Sequence, residues 1–131
     1  MKRALLPVVA ATVWISVSEF VRNQLLFASL WQRHYTDLGL TFPDRPINGA
    51  MWGLWSLLFA ISIYLIARRF PFTETAVIAW LTGFVMMWVA IGNLNVLPFG
   101  LLWFAIPLSV LEVVVAVWII RALTRVDSHD T

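Results

Sequence analysis

Four long apolar segments alternate with short polar stretches along the 131-residue chain. The segments cover residues 4–27, 49–67, 75–92 and 100–123. A helix that crosses a bilayer needs about 20 mostly apolar residues, because each residue advances the helix by about 1.5 Å. The pattern therefore predicts an all-α fold: an integral membrane four-transmembrane-helix bundle, with residues 1–131 forming a single transmembrane domain and residues 28–48 forming an outer loop.

Residues between the segments favour helix starts and stops. Pro46 followed by Asn48 provides a turn and a helix N-cap before the second segment. Pro71 interrupts the chain after the second segment, and Pro98 follows the third. The amino end also resembles a secretory signal, but apolar character resumes after Glu19, so we expect the first segment to be retained as a span.

The composition is more apolar than a water-soluble domain requires. Hydrophobic residues make up 61% of the chain, charged residues 12%, and the mean hydropathy is +0.85. We therefore expect membrane lipid to surround the helices. The net charge of +2 comes from scattered cations, so no nucleic-acid partner is expected. The lack of cysteine excludes disulfides and thiolate metal sites.

The distribution of Lys and Arg predicts the direction of the four helices. Six cations lie on the side of the two termini: Lys2, Arg3, Arg68, Arg69, Arg121 and Arg125. Three lie on the opposite side: Arg22, Arg33 and Arg45. Because cytoplasmic loops carry the excess of Lys and Arg, this asymmetry predicts an N-in, C-in, multi-pass protein of a bacterial cytoplasmic (inner) membrane.

Polar residues within the apolar segments are the candidate functional residues, because an unpaired charge in hydrocarbon is costly. We interpret Glu19, Arg22, Asn23, Asn93 and Glu112 as ligand-binding or proton-coupling residues of a pocket that opens outward. In the alternative interpretation, Glu19 and Arg22 only hold helices in register. Asn93 then only ends a helix, and Glu112 is a neutral acid hydrogen-bonded between helices.

Helix geometry gives the depths of these groups. Glu19 lies ~12 Å, Arg22 ~7 Å and Glu112 ~18 Å below the outer end of the bundle. Glu19 and Arg22, three residues apart on one helix, are predicted to pair. Arg22 is a possible partner of Glu112 as well, but their difference in depth of ~11 Å strains the reach of the arginine, so Glu19 is the preferred partner.

The chain contains eight tryptophans, and seven of them fall into two predicted uses. Four can line an interior pocket: Trp14, Trp52, Trp55 and Trp88. With Glu19, such a wall would suit an organic cation, because aromatic faces attract positive charge. Three others fit the aromatic belts at the membrane surfaces: Trp31, Trp103 and Trp118.

Small residues predict where helices pack. On the second segment they recur at i, i+4, i+7 and i+11: Gly49, Gly53, Ser56 and Ala60. Gly49 and Gly53 form a pair that would let another helix backbone approach closely. On the fourth segment Ser109 lies on the same small-residue face as Glu112, so we expect Glu112 to point into protein and not into lipid.

The sequence offers little for metal, cofactor or hydrolytic chemistry. The two histidines, His34 and His129, lie far apart along the chain, and neither has enough neighbouring ligands for a metal site. No nucleophile elbow, phosphate-binding loop or paired-histidine zinc motif is present. We therefore expect no metal, no cofactor and no catalytic residue.

Four short helices with an acid in the first resemble the small multidrug-resistance transporters, in which such a carboxylate exchanges protons for aromatic cations. The resemblance covers the topology and Glu19, and it implies a proton-exchanging role for that residue. The chain differs from that pattern in its long 28–48 loop, its asymmetric cations and its second acid, Glu112.

The leading functional hypothesis is a small inner-membrane protein that binds or transports a small molecule or lipid through an outward-facing polar and aromatic pocket. The alternative is an accessory or assembly subunit with no chemistry of its own, docked through Gly49 and Gly53 onto a larger membrane complex. The expected partners are membrane lipid and either such a complex or further copies of the chain in a homo-oligomer. A second alternative is an intramembrane lipid-modifying enzyme that uses the same carboxylates, although no recognisable nucleophile accompanies them.

Overall fold

The computed structural model describes the backbone of residues 2–129 and the side chains of residues 2–125. All regular elements in this range are helical. The elements are α1 (Lys2–Phe20) with a π-helical continuation (Val21–Leu26), α2 (Ala28–Asp37), α3 (Pro46–Ala67), α4 (Phe72–Trp80) with a π-helical continuation (Leu81–Val85), α5 (Met86–Asn93), a 3₁₀ turn (Phe99–Leu101) and α6 (Leu102–His129).

Four helical stretches are long and apolar enough to cross a membrane, which indicates a membrane protein. They are Lys2–Leu26, Pro46–Ala67, Phe72–Asn93 and Phe99–Arg125. Every end lies within three residues of the predicted one. The all-α fold with four membrane-length helices is therefore confirmed.

The start of α3 differs in detail from the prediction. Pro46 occupies the first helical turn, where its missing N–H costs nothing, and Arg45 is the N-cap residue. Asn48 is not the N-cap but the third residue of the helix. Its Oδ1 accepts a hydrogen bond from the Arg45 backbone N–H at 3.1 Å, so it still satisfies a group at the helix terminus.

The predicted outer loop contains a helix. Helix α2 occupies residues 28–37, and Gly39 follows it with φ of +74°, a left-handed conformation that suits glycine. Leu30 and Trp31 on α2 pack against Leu97 and Leu101. The long polar stretch therefore forms an amphipathic helix that covers one end of the bundle, because its few apolar residues share a face.

The main hydrophobic core is built around α1, which packs against both α3 and α6. It comprises Val8, Ala11, Ile15, Phe59, Ala60, Ile63, Ala79, Phe84, Val113, Ala116, Val117 and Ile120. The four alanines in this set are completely buried, and their small side chains let the helices approach closely. This core occupies the end of the bundle that carries Lys2 and Ala67, which we call the packed half.

Large apolar side chains cover the outside of the bundle. The most exposed include Leu5, Val13, Leu25, Met86, Val89, Trp103 and Trp118. An apolar surface of this extent is unfavourable in water but is normal against lipid. The exposed positions of Trp103 and Trp118 agree with their predicted places in aromatic belts, whereas Trp31 is only half exposed.

The small residues of α3 pack differently along its length. Ser56 and Ala60 are completely buried, as predicted. In contrast, a Cβ atom added at Gly49 or Gly53 would meet nothing within 4 Å, so the predicted close helix contact at this pair is wrong within the chain. The gap faces Ser16, Glu19 and Phe20 on α1.

A close helix contact occurs instead at Gly83, in the second π-helical stretch. A Cβ atom at this position would lie 2.5 Å from Cε2 of Phe59 on α3. Only glycine fits under the aromatic ring without displacing it. Sequence reasoning missed Gly83, although Ala79 lies four residues before it and forms a pair of small residues with it.

Candidate functional site

The site is built on the last turn of α1 and the π-helical stretch that follows it. Arg22 Nη2 donates to Glu19 Oε1 at 2.5 Å, and Asn23 Nδ2 donates to Glu19 Oε2 at 2.9 Å. Each carboxylate oxygen thus has a partner from the same helix. The pairing of Glu19 with Arg22 is confirmed, and it follows from their i, i+3 spacing.

Arg22 also reaches Glu112 on α6. The distance from Arg22 Nη1 to Glu112 Oε1 is 3.6 Å, so Arg22 contacts both acids, including the one that the difference in depth made the less favoured partner. In a helix the Cα–Cβ bond tilts towards the N-terminus. Since α1 and α6 run in opposite directions, the two side chains lean towards each other and close the gap between their backbones.

The three charged groups lie out of solvent. Glu19 is 4% exposed, Arg22 6% and Glu112 0%, so Glu112 points into the protein as predicted. The Arg22 guanidinium also lies 5.1 Å from the centroid of the Phe84 ring, a favourable cation–π distance. Two carboxylates and one guanidinium carry a formal charge of −1 when all are ionised, and burial makes that excess charge unfavourable.

Hydrogen bonding in this cluster is unequal. The two carboxyl oxygens of Glu112 form no hydrogen bond of ordinary geometry with any described residue. The same is true of Arg22 Nη1. The backbone carbonyl of Glu112 accepts a hydrogen bond from Trp14 Nε1 at 2.9 Å. Trp14 therefore joins α1 to α6 beside the acid and does not line the pocket predicted for it.

Asn23 extends the polar network to α2. Its Oδ1 accepts a hydrogen bond from Trp31 Nε1 at 3.1 Å, and the Trp31 ring stacks on Phe42 with centroids 6.1 Å apart. Trp31 therefore takes part in the polar network beside Glu19, a contact that was not predicted.

A cavity of about 400 Å³ adjoins these groups. Its polar walls are formed by Glu19, Arg22, Asn23, Gln24 and Asn48, and its aromatic walls by Trp31, Tyr35, Phe42, Trp52 and Trp88. We call this space the aromatic cavity. The combination of apolar walls with a few converging polar groups is typical of small-molecule sites.

A second cavity, also of about 400 Å³, lies between α1 and the start of α3. Its walls include Ser16 and Phe20 on one side and Gly49 and Gly53 on the other. Glu19, Asn23, Gln24, Pro43, Asn48 and Trp52 line both spaces. Glu19 and Asn23, which are hydrogen-bonded to each other, thus form part of the walls of both cavities.

Several predicted site residues lie elsewhere. Asn93 is exposed at the end of α5 and lines neither cavity. Trp55 packs between Phe59 and Phe84, with ring centroids 5.0 and 5.9 Å away. Glu112 lies behind Arg22 without lining either space. Of the predicted tryptophans, Trp52 and Trp88 line the aromatic cavity.

Two polar contacts in other parts of the bundle are structural. Ser109 is completely buried, and its Oγ accepts a hydrogen bond from Trp80 Nε1 at 2.9 Å, which ties α4 to α6. His34 Nε2 lies 2.8 Å from the backbone oxygen of Asn95, which ties α2 to the turn after α5. The side chain of His129 lies outside the described residues.

Sequence reasoning missed two aromatic walls of the cavity. Tyr35 and Phe42 contact each other edge to face, with ring centroids 5.2 Å apart, and Tyr35 lies 6.4 Å from Trp31. The i, i+4 spacing of Trp31 and Tyr35 places them on one helical face. That signal was available, but it required recognising a helix within the polar stretch.

The described residues contain no group of three or more His, Asp or Glu side chains arranged to hold a metal ion. The available chemistry is therefore that of carboxylate, guanidinium, amide and aromatic groups. Comparisons with protein-family models, with curated proteins and with solved structures find no match.

Proposed function

We propose that this chain is a multi-pass protein of a bacterial cytoplasmic membrane, with both termini inside, that binds or transports a small molecule or lipid through the aromatic cavity. Four helices of membrane length and their apolar outer surface support the membrane location. The excess of Lys and Arg on the side of the termini supports the orientation.

One observation carries the functional part of the proposal: the buried Glu19–Arg22 pair forms the wall of an aromatic cavity. An ion pair that only held helices in register would be surrounded by packed side chains. Here the carboxylate borders two open spaces instead. A buried charge beside a cavity is a functional candidate, because burying a charge within a membrane span costs free energy unless a ligand or a proton interacts with it.

In the transport form of this proposal, Glu19 or Glu112 takes up a proton as the ligand leaves. The arrangement supports such an exchange, because Arg22 contacts both carboxylates. Protonation of one carboxylate therefore changes how strongly the guanidinium stabilises the charge on the other. The aromatic walls supply contact area for the apolar part of a ligand.

Single-cysteine labelling tests the membrane topology, since the natural chain has no cysteine. Thr36→Cys places a thiol on α2, and Thr73→Cys places one on the first turn of α4; both positions are exposed. In spheroplasts, a membrane-impermeant maleimide is expected to label the first variant at once and the second only after permeabilisation. The reverse order contradicts the N-in, C-in topology, and immediate labelling of both contradicts a spanning bundle.

Ligand binding is tested with four probes: benzyltrimethylammonium, benzyl methyl sulfone, phenylmethanesulfonate and dihexanoylphosphatidylcholine. They represent a cation, a neutral molecule, an anion and a lipid. We expect calorimetry on the purified protein to detect binding of at least one probe. Trp52→Ala, in the cavity, should weaken that binding by roughly tenfold, because one stacked aromatic contact contributes about 0.5–2 kcal/mol.

Trp103→Ala is the matched control, since Trp103 is 83% exposed and outside the cavity. Its affinity for the probe should equal that of the natural protein. If none of the four probes binds, or if the two tryptophan variants weaken binding equally, the cavity is not the ligand site.

A second candidate, the accessory subunit, is favoured by the open space at Gly49 and Gly53. A helix of a larger complex would fit against this bare backbone. Purification from native membrane in mild detergent, followed by native mass spectrometry, distinguishes the two functions. A defined complex of fixed stoichiometry that Gly53→Leu dissociates supports the subunit function, and an intact monomer contradicts it.

A further inference from the structure

The charged side chains on the cavity walls are already matched with one another. Both carboxylate oxygens of Glu19 accept hydrogen bonds, one from Arg22 and one from Asn23. Glu112, the third charged group of the cluster, lines neither cavity. The second cavity adds one residue of each sign: Asp44 and Arg45. The walls therefore carry no net charge, and they favour an uncharged ligand group over an ionic one.

The polar wall groups that remain available to a ligand are all uncharged. Each of the following forms no hydrogen bond within the described chain: the Ser16 hydroxyl, the Gln24 amide, the Tyr35 hydroxyl and Asn48 Nδ2. Hydroxyl and amide groups can both donate and accept. A ligand hydroxyl has the same double capacity, so these groups match a ligand that carries several hydroxyls.

The aromatic walls suit the remainder of such a ligand. Five rings border the cavity: Trp31, Tyr35, Phe42, Trp52 and Trp88. A sugar ring carries C–H groups on its two faces and hydroxyl groups around its rim. Its faces can pack against the aromatic rings while the rim hydroxyls reach the amide and hydroxyl groups of the walls.

The second cavity connects this site with the outside of the bundle. Trp52 lines both cavities, and it is 41% exposed, while Phe20 on the facing helix is 57% exposed. Gly53 lies ~10 Å along α3 from Pro46, which is well inside a membrane span. In the proposed membrane orientation, the cavity therefore opens sideways between α1 and α3 into lipid and not into water.

We propose that the ligand of the aromatic cavity is a lipid with an uncharged sugar headgroup, which enters from the membrane between α1 and α3. The headgroup occupies the aromatic cavity, and an acyl chain lies over the bare backbone of Gly49 and Gly53 in the second cavity. This inference rests on the proposed function and names the class of its ligand.

The experiment compares lipids that differ in the headgroup alone. The purified protein, in an amine-oxide detergent that contains no sugar, is mixed with equal amounts of glucosyl-dioleoylglycerol, dioleoylphosphatidylcholine, dioleoylphosphatidylglycerol and dioleoylglycerol. Native mass spectrometry then identifies the bound lipid by its mass. We expect the glucosyl lipid to occupy the protein at least about fivefold more than each other lipid, because it alone offers a ring of uncharged hydroxyls.

Gln24→Leu tests the headgroup contact. The change removes an amide that has no partner within the described chain, so the fold should be kept, while occupancy by the glucosyl lipid should fall about threefold to tenfold. Gln32→Leu is the matched control, because Gln32 is exposed on α2 and lines neither cavity. An equal loss in the two variants overturns the placement of the headgroup.

Gly53→Leu tests the path of the acyl chain. A leucine side chain would fill the second cavity, so occupancy by the glucosyl lipid should fall about tenfold. Gly100→Leu is the matched control, because Gly100 also has open space around its Cα and lines neither cavity. Unchanged occupancy in Gly53→Leu overturns the sideways entry. The lipid competition on the natural chain decides the headgroup even if a variant fails to fold.

Calorimetry with hexyl β-glucoside and methyl β-glucoside separates a lipid from a soluble sugar. Hexyl β-glucoside should bind at least about tenfold more tightly, because its chain buries apolar surface. Equal binding of the two glucosides overturns the lipid part of the inference, and equal occupancy by the four lipids overturns the sugar part.

The same measurements keep this inference apart from the function on which it rests. If neither the glucosyl lipid nor a glucoside binds while one of the four probes named above does, the inference is wrong and the binding function stands. Failure of every lipid, glucoside and probe overturns both.

Discussion

The same helices pack closely in one half of this bundle and enclose two cavities in the other half. In the packed half, alanines such as Ala11, Ala60 and Ala116 are completely buried and bring α1, α3 and α6 together. In the other half, which we call the cavity half, the same helices diverge around Glu19 and leave two spaces of about 400 Å³ each.

The difference follows from which side chains face the helix contacts. Small apolar residues gain by excluding lipid and water, so their helices close together. Glu19 and Asn23 are larger and form their hydrogen bonds within their own helical stretch, so they offer a neighbouring helix no small apolar surface to pack against. A small residue such as Gly53 therefore produces tight packing only where the facing helix is also apolar.

The π-helical stretch Val21–Leu26 lies in the cavity half and contains both Arg22 and Asn23. A π-helix adds a residue to each turn, which widens the helix and changes the direction of its side chains. Here Arg22 points towards α6, whereas Asn23 bridges Glu19 and Trp31. The π-helical geometry thus directs polar side chains of the cavity half towards both α6 and α2.

The largest effect on stability is expected from Arg22→Met. This change leaves the buried carboxyl groups of Glu19 and Glu112 without their cation, and breaking a buried pair in this way costs about 3–5 kcal/mol. Unfolding of the purified protein by a denaturing detergent measures the loss. Arg33→Met, at an exposed position of α2, is the control and should change stability by less than about 0.5 kcal/mol.

Adding Glu112→Gln to Arg22→Met should restore part of the stability, because one of the two uncompensated acids is then neutral. A double variant no more stable than Arg22→Met alone would show that Glu112 and Arg22 do not interact energetically.

A pair of identical substitutions compares the two halves directly. Gly83→Ala places a methyl group 2.5 Å from the ring of Phe59, and such overpacking should cost about 1–3 kcal/mol. Gly53→Ala adds a methyl group that meets nothing within 4 Å. It should leave stability unchanged or raise it by up to about 1 kcal/mol, because alanine loses less backbone entropy in a helix.

The same unfolding measurement reports both glycine variants. Equal destabilisation by the two changes would mean that α1 and α3 are in close contact at Gly53, which would contradict the open cavity there.

The smallest effect is expected from Trp31→Phe. Phenylalanine keeps the aromatic contact with Phe42 but cannot donate to Asn23 Oδ1, so the loss should be about 0.5–1.5 kcal/mol. Trp103→Phe removes an indole N–H from an exposed ring and serves as the control. A loss of stability in the control as large as in Trp31→Phe would show that the hydrogen bond to Asn23 contributes nothing.

Local patterns were enough to predict the helices and the first ion pair. Apolar runs of membrane length, interrupted at Pro46 and Pro71, placed both ends of each of the four membrane-length helices within three residues, but they did not predict α2. The i, i+3 spacing of Glu19 and Arg22 on one helix was enough to predict their contact. Both features depend on residues close together in the chain, where helix geometry leaves few alternatives.

Features that join distant parts of the chain were missed or misjudged. Depth alone argued against contact between Arg22 and Glu112, because the estimate ignored how side chains lean on antiparallel helices. The hydrogen bond from Trp31 to Asn23 was not predicted, because the two residues become neighbours only when α2 folds back over the bundle.

The amino-acid sequence by itself determined that four apolar helices form and where they end, because burial of apolar side chains in lipid depends on composition and period alone. Tertiary structure decided which small residues pack and which line a cavity, since Gly53 and Gly83 are chemically identical. It also decided that one guanidinium serves two acids, because only the antiparallel arrangement of α1 and α6 brings Glu112 within reach of Arg22.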